Sequence, residues 1–323
     1  MLLQAILFCV GAAALYLGAE WLVRGSSRLA RSFGVSALVV GLTVVALGTS
    51  APELVVSTIA AVRGQGGVAV GNVVGSNILN LALIVGVASL AGPMHVQMRL
   101  LHREAPLMVL AALTLPLLAW DGAITRLDGG LLAVAFLGYL AFVVRSARTE
   151  PPAVKRDFEA FEEAEDRAPA GGSRLRDAGI AAAGLATLVV GAQMLVDAAV
   201  FFARAAGVSE VVVGLTVVAV GTSLPELATS VVAALRGEAD IAMGNIVGSN
   251  IFNSLIILGS AALARPILLD RALFAFEIPA MVAISVIFPV LAYTRRTLRR
   301  LEGAFLVACY VAFTGVLLMR TVG

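Results

Sequence analysis

Glu53 and Glu226 each stand in the middle of a long apolar stretch, with no Lys or Arg within nine positions on either side. A carboxylate at the centre of a membrane-spanning stretch costs about 2.5–3.5 kcal/mol on insertion scales. Two chemistries can neutralise it: a bound cation or a proton. Pro52 and Pro225 directly precede the two acids. Proline has no N–H, so in a helix the carbonyls of Gly48 and Gly221 lose their partners. The kink also loosens the bonds made to the carbonyls of Thr49 and Thr222. Free carbonyls beside a carboxylate form an oxygen-lined site, which suits hard cations such as Ca²⁺ and Na⁺.

Further oxygens lie downstream. Asn72, Ser76 and Asn80 recur every four residues and form one polar stripe on a helix, and Asn245, Ser249 and Asn253 repeat it. The other use of such a stripe is hydrogen bonding between helices, above all for Asn72, Asn77, Asn245 and Asn250. Gly71 with Gly75, and Gly244 with Gly248, set small residues four apart, which permits close helix approach. Glu104 and Glu277 are expected to begin helices, where acids suit the macrodipole. His95 and His102 are expected in a surface loop. Trp21, Trp120 and Tyr293 read as interfacial anchors. Cys9 and Cys309 read as small apolar residues.

The elements that must position these groups follow from composition. Of 323 residues, 60% are hydrophobic and only 14% are charged. Mean hydropathy is +0.97. A soluble chain of this size cannot hide so much apolar surface in one core, and a net charge of +2 gives no polyanion-binding signal. A bundle of membrane helices remains. Apolar runs fall at 2–31, 35–62, 68–91, 104–120, 129–144, 175–204, 208–235, 241–264, 277–293 and 302–319. The first run has no basic segment ahead of it and reads as a retained span.

The chain repeats itself at an offset of 173 residues, with 28 of 46 positions identical between 41–86 and 214–259. GTSAPE at Gly48–Glu53 returns as GTSLPE at Gly221–Glu226, and GNVVGSNILN at Gly71–Asn80 as GNIVGSNIFN at Gly244–Asn253. The body is therefore a five-span unit used twice. Five is odd, so the second copy enters the membrane from the opposite side. The expected fold is all-α, with ten transmembrane helices in two inverted repeats, 1–145 and 174–323. An acidic cytoplasmic linker, 146–173, joins them. Inverted repeats of this kind are typical of secondary transporters. With the N-terminus outside, 17 of the 23 basic residues fall on the cytoplasmic side. Both termini are then extracytoplasmic.

These paired motifs resemble the cation/calcium antiporter superfamily, and within it the sodium/calcium exchanger family of the compact prokaryotic type. The resemblance implies a Na⁺-for-Ca²⁺ antiporter of the prokaryotic inner membrane, with three Na⁺ exchanged for one Ca²⁺. It implies that Glu53 and Glu226 hold Ca²⁺ with the backbone oxygens of Thr49 and Thr222. The same acids would hold Na⁺ with the carbonyls of Ala46 and Ala219 and the side chains of Ser50, Ser76, Ser223 and Ser249. Similar exchangers, including potassium-dependent ones, often carry Asp at the position of Asn253. Both copies here have Asn, at 80 and 253, which counts against potassium co-transport. No cofactor, nucleic acid or obligatory protein partner is implied, only the ions and the lipid bilayer. A proton/cation exchanger on the same scaffold is the first alternative. A passive channel and a membrane enzyme fit less well, because the buried acids are duplicated and both histidines lie outside the spans.

Overall fold

The computed structural model describes residues 1–148, 174–206 and 219–322. Most of the linker 146–173, and the start of the second long motif at Gly214–Val218, lie outside the described residues. Ten spans follow one another. Span 1 is Leu2–Phe33. Span 2 is Ala37–Thr49 and Ala51–Val62, bent by 46° at the break. Span 3 is Gly66–Ala91 and span 4 is Leu100–Leu118. Span 5 is Arg126–Arg148 and span 6 is Arg174–Ala205. Span 7 is described over Ala219–Thr222 and Leu224–Leu235. Span 8 is Ala239–Ala264 and span 9 is Glu277–Arg295. Span 10 is Arg300–Val322.

Spans 5, 9 and 10 run beyond the apolar stretches that mark them, because a helix need not stop where the hydrocarbon does. Span 4 corrects an expectation. It begins with a π-helical turn at Leu100–Glu104, so Glu104 lies inside the helix and not at its start. Leu100 and Leu101 are buried and draw that turn into the protein. The fully buried Glu104 is compensated by Arg99, whose Nε lies 3.3 Å from its carboxylate. His102 stands in the same turn, exposed, with its ring edge-on to Tyr293. Glu277 does begin its helix.

Among the described residues, two short ribbons join turns between the helices. β1 (Met94–His95) pairs antiparallel with β4 (Thr297–Leu298), and β2 (Ala123–Ile124) with β3 (Ile267–Leu268). β1 and β4 lie in the turns after spans 3 and 9, and β2 and β3 in the turns after spans 4 and 8. Counting crossings puts the first ribbon on one face of the bundle and the second on the other. Shifting Met94 by the repeat offset gives Ile267, so the repeat interchanges the two ribbons. This is the geometry that an inverted repeat requires.

Spans 3 and 8 form the centre, with 78% and 83% of their apolar windows buried. In spans 1 and 10 the shares are 17% and 11%, so those helices face the surroundings with leucine and valine. Spans 1 and 6 pack along one another on a glycine seam. Gly11, Gly18 and Gly25 of span 1 meet Gly191, Gly184 and Ala181 of span 6. A β-carbon at Gly18 would come within 2.8 Å of the Gly184 carbonyl oxygen, so only glycine fits. Such seams let apolar helices associate by backbone approach where no hydrophobic force operates between them.

Candidate ion site

Span 2 breaks at Ser50, whose φ and ψ are −84° and 6°, and helix resumes at Ala51. Span 7 breaks at Ser223, with φ and ψ of −94° and 10°, and resumes at Leu224. Pro52 and Pro225 thus sit in the first turn of a new half-helix, the one place where a missing N–H is harmless. Glu53 and Glu226 share that first turn. The positive end of the helix dipole offsets part of the cost of burying each acid. Both are 1% exposed, and neither has an ion pair with Lys or Arg among the described residues.

The two half-sites are stitched crosswise. Ser50 Oγ donates to Glu226 Oε1 at 2.8 Å and lies 2.9 Å from Ser249 Oγ. Ser223 Oγ donates to Glu53 Oε1 at 2.9 Å and lies 3.3 Å from Ser76 Oγ. Each carboxylate is therefore held by a hydroxyl from the other repeat. Thr222 and Thr49 flank Glu53 and Glu226 in the same crossed sense. The second oxygen of each acid is left over. Glu53 Oε2, Glu226 Oε2, Asn80 Oδ1 and Asn253 Oδ1 are all buried without a hydrogen-bond partner among the described residues. All four are acceptors. A buried polar group in that condition is costly unless something satisfies it, and an acceptor-only set is satisfied by a cation.

The acids, the four serines and the two threonines are thus brought together, with differences in role, whereas no hydrogen bond ties Asn80 or Asn253 to the acids among the described residues. Asn72 and Asn245 are braces. Asn72 Nδ2 donates to Ser57 Oγ at 2.8 Å and to the Glu53 carbonyl at 3.4 Å. Asn245 Nδ2 donates to Ser230 Oγ at 3.0 Å and to the Glu226 carbonyl at 3.5 Å. Thr49 Oγ1 donates to Asn245 Oδ1 at 3.0 Å. The Ala46 carbonyl accepts the Ser50 N–H at 3.1 Å and approaches the Thr49 hydroxyl at 3.4 Å. Ala219 opens the described part of span 7. Ser57 and Ser230 are additions to the expected set. Their signal was available: between Leu54 and Ala60 the two repeats share only this serine.

Asn80 and Asn253 lie at π-helical turns, Leu79–Ile84 and Asn253–Ile257. Such turns are frequent at functional sites, and nothing in the sequence marks them. Gly244 and Gly248 make the close approach expected of them. A β-carbon on either would come within 2.9 Å of backbone in span 2. The residues of span 7 corresponding to that part of span 2 lie largely outside the described residues.

Two inverted five-span repeats around a shared, acceptor-lined pair of carboxylates define an integral membrane transporter that handles cations. The family model of the sodium/calcium exchanger protein matches residues 3–145 and 177–319, and the chain belongs to that family. The sodium/calcium exchanger MaX1 of Methanosarcina acetivorans is 35% identical, covering 97% of each chain. The inner membrane protein YrbG of Escherichia coli is 39% identical over 91% of this chain and 90% of that one. Among solved structures, the sodium-calcium exchanger NCX_Mj soaked with zero Na⁺ and Ca²⁺ matches with a TM-score of 0.84. Its identity is 30%, over 98% of this chain and 99% of that one. The chain is thus a membrane exchanger of ten helices in two repeats, and its activity is cation/Ca²⁺ antiport.

Proposed function

We propose that the antiport is Na⁺ for Ca²⁺, by alternating access, and electrogenic. The observation that carries this is the set of four unpartnered buried oxygens on Glu53, Glu226, Asn80 and Asn253. Glu53 and Glu226 hold Ca²⁺ with the backbone oxygens of Thr49 and Thr222, and Asn80 and Asn253 offer their Oδ1 atoms as further ligands. The same acids hold Na⁺ with Ser50, Ser76, Ser223 and Ser249 and the carbonyls of Ala46 and Ala219. The Ala46 carbonyl would release its longer contact, from the Thr49 hydroxyl, to do so. Competition for shared carboxylate oxygens couples the ions. Ca²⁺ balances two carboxylates, whereas three Na⁺ leave one net positive charge, so the cycle moves charge. The turns after spans 1, 3, 5, 7 and 9 face the cytoplasm of a prokaryotic cell, by the excess of Arg there, and both termini lie outside. Spans 1 and 6 slide against the rest. No cofactor takes part.

The test is Ca²⁺ flux in proteoliposomes with Na⁺, K⁺ and pH gradients imposed one at a time. A Na⁺ gradient alone is expected to drive Ca²⁺ uphill. Flux that follows the pH gradient and ignores Na⁺ would make the carboxylates proton carriers and overturn the Na⁺ coupling.

A further inference from the structure

An asparagine side chain has two ends of nearly equal size and opposite polarity. Only its oxygen can hold a cation; its NH₂ repels one. Asn253 presents Oδ1 unpartnered, which leaves the question of what keeps the amide from turning over. Its Nδ2 donates to Asn77 Oδ1 at 3.1 Å, across the boundary between the two repeats. Asn77 poses the same question one step back. Its Nδ2 donates to Ser254 Oγ at 2.9 Å and contacts Met281 Sδ at 3.6 Å. A hydroxyl can face either end of an amide. A thioether sulfur accepts and cannot donate, so it selects the NH₂ end. All four residues are 0–2% exposed, so bulk water does not reach them.

We propose that Asn77 is a positioning residue that fixes the polarity of the Asn253 amide, with Met281 and Ser254 fixing the polarity of Asn77. The relay runs from Met281 in span 9 through Asn77 in span 3 to Asn253 in span 8. It leaves Oδ1 of Asn253 as the ion ligand. Among the described residues the device belongs to one half-site only. The repeat counterpart of Ser254 is Leu81, and the counterpart of Asn77 is Asn250. Asn250 gives its Nδ2 to the Ile246 carbonyl of its own helix at 2.8 Å. Asn80 therefore has no equivalent relay through Asn250 among the described residues.

The inference rests on the reading of Asn253 as a ligand, and the experiment separates the two. Asn77→Ala is made alone and in the background of Asn253→Asp, with KM for Ca²⁺ and maximal exchange rate measured in proteoliposomes. A carboxylate has an oxygen at both ends and needs no orientation. In the original background, Asn77→Ala is expected to raise KM for Ca²⁺ about fivefold, the size of one lost hydrogen bond. In the Asp background the same change is expected to raise it less than twofold. A residue that merely supports the fold would lower the yield of folded protein and the maximal rate alike in both. An equal KM penalty in both backgrounds, or none in the first, overturns the relay. Ser254→Ala with Met281→Leu removes the two acceptors and keeps Asn77. It is expected to raise KM in the same direction, and an unchanged KM also overturns the relay. If Asn253→Ala itself leaves KM unchanged, the ligand assignment fails, and the relay with it. If Asn253→Ala raises KM and Asn77→Ala does not, only the relay fails.

Discussion

Glu53 and Glu226 solve half of the problem of a buried carboxylate. One oxygen of each is met by a serine from the other repeat, and the second has no hydrogen-bond partner among the described residues. A buried ion without its counter-charge destabilises the fold that contains it. Glu226→Gln removes that charge with little change of shape, so it is expected to keep or raise the melting temperature of the ion-free protein. In the unmutated chain, Ca²⁺ at a hundred times its Kd adds about 2.7 kcal/mol of stability, which chelation removes. The variant is expected to lose this response and to exchange Ca²⁺ at less than about a tenth of the original rate. Thermal unfolding in detergent, with and without Ca²⁺, checks both. An undiminished response to Ca²⁺ would place Glu226 outside the site. The acids and the serines could be found from sequence because the repeat prints each twice. The relay from Met281 to Asn253 could not, because it spans three helices and the repeat does not reproduce its Ser254, whose counterpart is Leu81.

Each broken span turns what would be one dipole into two, and the break itself presents backbone to the site. Proline accounts for this in part. At Ser50 the chain leaves helical geometry two residues before Pro52, which then sits comfortably in the next half-helix. Pro52→Ala restores an N–H that the Gly48 carbonyl can accept, and so permits one continuous helix. An uninterrupted proline costs a helix interior about 3 kcal/mol relative to alanine, which sets the driving force for closure. Ca²⁺ exchange is expected to fall at least fivefold in this variant while the protein stays folded, as read by flux and by elution as a single species. Full exchange would mean that the hydrogen bonds around Ser50 hold the break open alone. Hydropathy foretold the number of spans but undershot their ends. It senses only the hydrocarbon layer, and helices such as Arg126–Arg148 continue through polar residues into the interface. The π-helical turns and the ribbons left no mark in the sequence. A π turn differs from an α turn by one residue of register, and a two-residue strand has no period to detect.

The two halves are related by a rotation that exchanges inside with outside, yet they share one site through crossed hydrogen bonds. The exchanged charge is then a property of the whole cycle and not of either half. One net charge moved across 100 mV is worth about 2.3 kcal/mol, a factor of roughly 50 in a concentration ratio. A K⁺ diffusion potential of that size, with Na⁺ equal on both sides, is therefore expected to shift the Ca²⁺ ratio at equilibrium about 50-fold per 100 mV. No shift would overturn the electrogenic cycle. Duplication, inversion and the shared acids were all legible, because parity and a 173-residue offset require no side-chain detail. How the rims are fastened was not. β1 with β4, and β2 with β3, tie turns of one repeat to turns of the other on opposite faces. Between them these hoops bind spans 3, 4, 5, 8, 9 and 10 into a frame fastened at both ends. Spans 1, 2, 6 and 7 are outside the hoops. The frame so fastened includes spans 3 and 8 with their serine and asparagine oxygens, whereas the two acids ride on spans 2 and 7, which neither hoop ties.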